Sequence, residues 1–304
     1  MIRKPDKALE WQSKTILLLV VPWTVASVIL QAHWWFAQVP VVAWTTLGIS
    51  AIFGLVVWKL KAATPAGAAT GAAITAGLMF STTRFPYKWS SLHGGLLPLL
   101  AVFLLTYAAT KIGKAKKERI GTAENKRGRN AAQVAANLGM AAIAAFPISL
   151  ITIPSYLQNA GEATVYFAAL AALSEAAADT TSSELGQVFG GAPRLITTFR
   201  IVDKGCDGGI TFAGTFAGAF AALVVVLVGF CAAHGFNSLI DSWISICLCT
   251  AGGTFGLLFD SLLGATLERK GFLNNDAVNF LSTLSAILFP LAAIAVMVFF
   301  SKHH

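Results

Sequence analysis

A chain of 304 residues that is 56% hydrophobic, only 12% charged and of mean hydropathy +0.70 has too few polar side chains to cover a water-soluble globule of its size. That excludes a soluble enzyme or binding module and requires solvation by lipid. A β-barrel is excluded too, because the apolar residues run continuously instead of alternating over segments of about ten.

In chain order, apolar runs between charged punctuation predict nine membrane-spanning helices, at 15–32, 38–58, 65–81, 94–111, 132–153, 161–179, 209–232, 243–263 and 279–300. The first follows basic residues as a signal peptide would, but its length and the spans after it mark a retained helix. The sequence therefore predicts an all-α, polytopic integral membrane bundle. One domain, 1–304, accounts for it, with 1–60 as peripheral N-terminal helices and 61–304 as the core.

The basic residues lie on alternate loops. Arg3, Lys4, Lys7 and Lys14 precede the first span, Lys59 and Lys61 follow the second, and a run from Lys111 to Arg129 follows the fourth. Arg194, Arg200 and Lys204, then Arg269 and Lys270, continue the same side, whereas the other side holds Arg84, Lys88 and Lys302. Lys and Arg are retained in the cytoplasm, so the N-terminus is predicted inside and the C-terminus outside. The charge of +8 is thus accounted for by topology and anionic headgroups, without nucleic acid.

Gly67 with Gly71, Gly214 with Gly218, and Gly252 with Gly256 are spaced four apart, a pattern that lets helices approach closely within a bundle or between protomers. Cys206, Cys231, Cys247 and Cys249 lack CxxC spacing and suggest neither a zinc cage nor disulfides.

The chemistry concentrates at the cytoplasmic ends of the later spans. Glu175, Asp179 and Glu184 fall in and just beyond the apolar sixth span, and carboxylates at membrane depth need a watery cavity, a cation or a partner. Glu175 and Asp179 share a helix face that Ser182 and Ser183 continue; such oxygen ligands suit Mg²⁺ better than zinc. Pairing with Arg194 or Arg200 would also explain them, as would a span that ends a turn earlier.

The loop that follows combines Gly190, Gly191, Gly205, Gly208 and Gly209 with Arg194, Arg200 and Lys204 and opens into the seventh span, an arrangement able to cradle phosphate or simply to turn. It matches neither the Walker loop nor the dinucleotide fingerprint. Asp260 lies inside the eighth span; Asp276 and Asn279 open the ninth as ligands or N-caps; Gln133 and Asn137 sit one turn apart in the fifth.

The stretches QVAANLG, ADTTSSELG, PRLITTFR, GGITFAGT, DSLLGATLE and NNDAVNFLST occur in that order, and together they resemble the membrane family catalogued as domain of unknown function number ninety-two. That family includes a plant phytyl-phosphate kinase and an animal transmembrane protein nineteen. The resemblance implies transfer of a phosphoryl group from a nucleoside triphosphate such as CTP, with Mg²⁺, to an isoprenoid monophosphate. It departs from the family at VDKGCDGG (202–209), where Asp207 adds a negative charge.

On this basis Asp179, Glu184 and Asp260 are the expected catalytic and metal residues, with Glu175 in the metal set. Arg194, Arg200, Gly208 and Gly209 are expected at phosphates, Lys126 and Arg127 as guides for the anionic donor, and Asn137, Asp276 and Asn279 in support. The expected surroundings are the lipid bilayer, specifically a bacterial inner membrane. The competing expectations are a cation-coupled transporter or lipid-handling protein and a lipid–nucleotide transferase.

Overall fold

The computed structural model describes residues 7–87, 93–122, 128–146, 161–236, 239–240 and 242–303. Its long helices are α1 (Glu10–Gln38), α2 (Pro40–Lys59), α3 (Pro65–Thr82), α4 (His93–Lys111), α6 (Ala131–Ala145), α7 (Gly161–Phe189), α8 (Phe212–His234), α9 (Trp243–Leu263) and α10 (Asn275–His303), with a short α5 (Lys114–Ile120) between α4 and α6. Each predicted span has its helix.

Among the described residues, α1, α2, α4, α8, α9 and α10 are long and apolar enough to cross a membrane by length and composition. Of the other three, α3 is rich in Gly, Ala and Thr, α6 has 15 residues with 147–160 beyond it outside the described set, and α7 is explained by its position. α7 packs on α4, α6, α8, α9 and α10, and its residues from Ala168 to Ala178 are almost wholly buried. A helix sheathed by other helices is solvated by protein, so it needs no long lipid-facing side chains and is built from Ala and Ser instead.

Leu170 and Leu173 of α7 meet Val225 and Phe230 of α8, Leu99 of α4 and Cys249 of α9 in the main apolar cluster. The spaced glycines set most of these distances. A methyl on Gly214 would lie 2.7 Å from the Ser182 carbonyl, on Gly218 2.7 Å from that of Ala178, and on Gly252 2.7 Å from that of Ala286. These small-residue faces, expected also to serve oligomerisation, are filled within one chain. Gly71 differs, with nothing closer than Val134 at 3.9 Å.

The N-terminal helices, marginal to the resemblance, are packed into the bundle. Val20 of α1 is fully buried against Gly139 of α6. At its start, Gln12 donates to the Phe272 carbonyl at 2.8 Å and Ser13 to Asp276 at 2.6 Å. Asn274 caps α10 by accepting from Ala277 N at 2.9 Å, so neither Asp276 nor Asn279 is the cap.

Several helices outrun their predicted spans, α1 at both ends (Glu10–Gln38 against 15–32) and α7 at the end that meets the site. The apolar run stops near Asp179, yet α7 continues ten residues to Phe189. Its last two turns exchange an apolar surface for hydroxyls and a carboxylate, and hydropathy reports the surface rather than the backbone. The helix ends where Gly190 bonds back to the Gly186 carbonyl at 2.8 Å and Gly191 turns left-handed, just before Pro193.

The segment from Gly190 to Thr211 folds back on itself as a hairpin instead of a loose loop. Arg194 and Leu195 (β1) pair antiparallel with Ile210 and Gly209 (β2).

Candidate functional site

The ends of α6, α7, α8, α9 and α10 that carry the basic loops surround a polar cavity of about 410 Å³. Asp179 of α7 and Asp260 of α9 both line it, as do Asn137 of α6 and Asn279 of α10. Four residues far apart in sequence are therefore brought to one place. With its amide oriented to satisfy its neighbours, Asn279 donates to Asp260 Oδ2 at 3.2 Å and accepts from Asn137 Nδ2 at 3.1 Å. That chain fixes the Asp260 carboxylate.

The charges of Asp179, Glu175 and Glu268 all bear on Asp260. Among the described residues no three His, Cys, Asp or Glu side chains converge into a cage for a metal. Mg²⁺ does not require one; it takes one or two carboxylates and fills its octahedron with water and substrate phosphate. Asp179 and Asp260, flanked by amide and hydroxyl oxygens, fit that demand.

Glu175 is set behind the cavity. It is 1% exposed, pressed on Gly256, and accepts from Ser282 Oγ at 2.6 Å. Glu184 lines the cavity, but its carboxylate is ion-paired with Lys117 of α5. Lys117 is itself 1% exposed and also donates to the Ala109 and Thr110 carbonyls at 3.0 and 2.8 Å. The pair ties α5 and the end of α4 to α7. Asp276, held by Ser13, is turned toward α1 and does not line the cavity.

Cations enter from two places. Arg129 precedes Asn130, the N-cap of α6, whose side chain and that of Gln133 form a reciprocal capping box. Its guanidinium donates to Thr180 Oγ1 at 3.1 Å and acts on the Asp179 charge next to it. Lys204 lines the opposite wall and donates to the Gln187 carbonyl at 3.1 Å.

Arg194 and Arg200, expected at phosphates, are exposed on the hairpin and outside the cavity lining, Arg194 donating to its own hairpin's Phe199 carbonyl at 2.9 Å. The hairpin presents its other strand instead. Gly208 and Gly209 lie at the wall with Cys206 and Asp207, so the departure from the family pattern falls on the cavity itself. Gly208 has φ +74, and a Cβ there would collide with Ala265. The backbone it meets is a turn of π-helix, Gly264–Glu268, that continues α9. Lys126 and Arg127 lie outside the described residues.

Arg129 and Glu268 were missed as site residues. Arg129 was read as one of many basic loop residues, although its place directly before the α6 cap aims it at the helix ends. Glu268 had a signal in spacing: Asp260, Gly264 and Glu268 recur every four residues and share one face.

The chain matches the family model "Integral membrane protein DUF92" over residues 48–287. It is 45% identical to an uncharacterized membrane protein of Methanocaldococcus jannaschii over 116 residues, which cover 38% of this chain and 45% of that relative. It is 32% identical to Protein PGR of Arabidopsis thaliana over 208 residues (65% and 71%), and 30% identical to Protein VTE6, chloroplastic, of the same plant over 192 residues (61% and 54%). No solved structure matches it.

Proposed function

The chain belongs to the DUF92 family of integral membrane proteins, and on that premise we propose that it is a membrane-embedded phosphotransferase making an isoprenoid diphosphate from a phytyl or polyprenyl monophosphate and a nucleoside triphosphate. The observation that carries the reading is the cavity. In an apolar bundle it gathers five carboxylates, Asp179 and Asp260 among them, with Arg129, Lys204 and a glycine turn at the end bearing the basic loops. Phosphoryl transfer needs mainly positioning and charge stabilisation.

An oxygen of the lipid monophosphate attacks the terminal phosphorus of the donor, the bond from that phosphorus to the bridging oxygen breaks, and the nucleoside diphosphate leaves with the electron pair. The acceptor oxygen is already anionic, so no strong base is required. Asp179 and Asp260 would hold Mg²⁺, which supplies charge neutralisation on the phosphates. Asn279 orients Asp260. Arg129 and Lys204 offer charge-assisted donors to phosphate oxygens, and the Gly208–Gly209 turn, packed against Ala265, forms part of the wall beside them. With the basic loops in the cytoplasm, the cavity opens to soluble CTP or ATP, in the inner membrane of a bacterial-type cell.

A transporter reading rests on one observation. A further cavity of about 490 Å³, lined by Trp34, Trp35, Arg84 and Tyr166, lies at the other end of the bundle. Transport would need the two ends to communicate, and the buried Ala and Leu residues of α7 stand between them.

The test is transfer of label from γ-³²P CTP and ATP to phytyl, geranylgeranyl and farnesyl monophosphates by the purified protein, with and without Mg²⁺. Metal-dependent diphosphate formation that falls at least about 100-fold in Asp260→Asn supports the reading. No transfer by folded protein across the panel refutes it.

A further inference from the structure

Beside the polar cavity runs a second cleft, of about 110 Å³ and mostly apolar. Phe53 and Val57 of α2, Gly71 of α3, Val102 and Phe103 of α4 and Leu138 of α6 are among its walls. α2 and α4 are both long and apolar enough to cross a membrane, so the cleft is walled by candidate spans. Its volume is below that of a cavity that takes one benzene ring, so it holds part of one slender chain, the remainder lying along its open side, and not the two chains of a diacyl lipid. One end is not apolar, for Lys61, Lys111 and Arg129 stand there.

Arg129 and Asn137 line both spaces. The backbone pins Arg129 at this junction. Its N–H donates to the Ala62 carbonyl at 3.0 Å, and its carbonyl accepts from Thr64 N at 2.9 Å. Gly128 before it has φ +75 and leaves no room for a Cβ, which would lie 2.6 Å from the Lys61 carbonyl oxygen. Side chain and main chain together place the guanidinium between an apolar slot and the carboxylate cavity.

We infer that this cleft seats the hydrocarbon chain of a single-chain lipid phosphate, with the phosphate at the junction on Arg129 and the Lys61–Lys111 rim. Apolar walls match the chain, and the three cations match the headgroup. Continuity with the cavity puts the headgroup within reach of a donor phosphate. As an acceptor site this rests on the phosphotransferase reading; as a lipid-phosphate binding site it does not.

Labelling without turnover separates the two. The full chain in nanodiscs is irradiated with farnesyl monophosphate carrying a terminal benzophenone, and adducts are mapped by mass spectrometry. Adducts are expected on α3 and α4, at residues such as Val102 and Phe103. Unlabelled farnesyl monophosphate is expected to compete about tenfold better than farnesol. Gly71→Leu projects into the cleft from a position with free space around its Cβ and is expected to cut labelling about tenfold; Val102→Phe is the second variant, and size-exclusion profiles check both for folding.

Adducts elsewhere in the unsubstituted protein, or labelling unmoved by a folded cleft-filling variant, overturn the inference. Equal competition by farnesol overturns the headgroup assignment. Cleft adducts without any phosphoryl transfer sink the reaction and leave the binding site standing, whereas transfer with adducts elsewhere does the reverse.

Discussion

Removing either partner of the Lys117–Glu184 pair tests whether it fastens the basic end of the bundle or is a bystander. Lys117 is 1% exposed and its partner carboxylate 12%, so Glu184→Gln leaves a buried ammonium with neutral acceptors alone, the Ala109 and Thr110 carbonyls and the new amide oxygen. Stranding a buried charge costs about 3–5 kcal/mol. The two carbonyls at the end of α4 offset part of that, because an ammonium is favoured at a helix C-terminus, which places the expected loss at roughly 3 kcal/mol. Lys117→Met strands Glu184 instead, which is closer to the cavity water, and should cost roughly 2 kcal/mol. The double variant removes both charges and should cost less than the sum, with a coupling of roughly 2 kcal/mol. SDS titration of the purified protein, followed by helical circular dichroism, measures all four corners of the cycle. Additive effects, or single variants within about 0.5 kcal/mol of the parent, would show that the pair does not hold α5 to α7.

Gly208→Ala is expected to be costly twice over, through a left-handed backbone and a collision with Ala265; roughly 2 kcal/mol or more should be lost, with a raised KM for the nucleotide, and an unchanged KM would remove the turn from the donor site. Asn279→Leu deletes the donor to Asp260 and should lower kcat about tenfold while raising the Mg²⁺ requirement, read in the label-transfer assay across a metal titration. Arg129→Lys keeps the charge but loses the fork that reaches Thr180, so activity should fall by about tenfold and not recover at high donor concentration. Cysteines placed at Lys116 and at Phe236 in a cysteine-free chain should label from opposite faces of sealed vesicles; labelling from the same face would break the topology.

Much of the architecture was legible in one dimension. An apolar run long enough to cross lipid records a partition between two solvents, and that partition is local, so among the described residues each run meets a helix, and α9 falls on its predicted bounds. The same reasoning singles out Asp179 and Asp260, which the structure places on one cavity, because a carboxylate in an apolar run is costly wherever its helix packs. It misjudged the end of α7 because hydropathy senses the side-chain surface, while the backbone continues as helix along a cavity wall.

The sequence by itself determined that the protein is a membrane-spanning helical bundle with its polar chemistry at the basic end. Which basic and acidic residues meet there was decided only by tertiary structure. Glu184 is 67 residues from the lysine that neutralises it, and Arg129 is 51 from the threonine that anchors it. Arg194 and Arg200, nearer in sequence to the carboxylates, end outside the cavity because a two-residue strand pairing turns their hairpin's other strand inward. Gly71 reads like Gly67 on paper and both line the cleft, and only the tertiary placement presses Gly67 on the Arg129 carbonyl while leaving space at Gly71. Local composition sets how each helix is solvated, whereas partners are set by how helices cross and in what rotation, and those depend on every packed face at once.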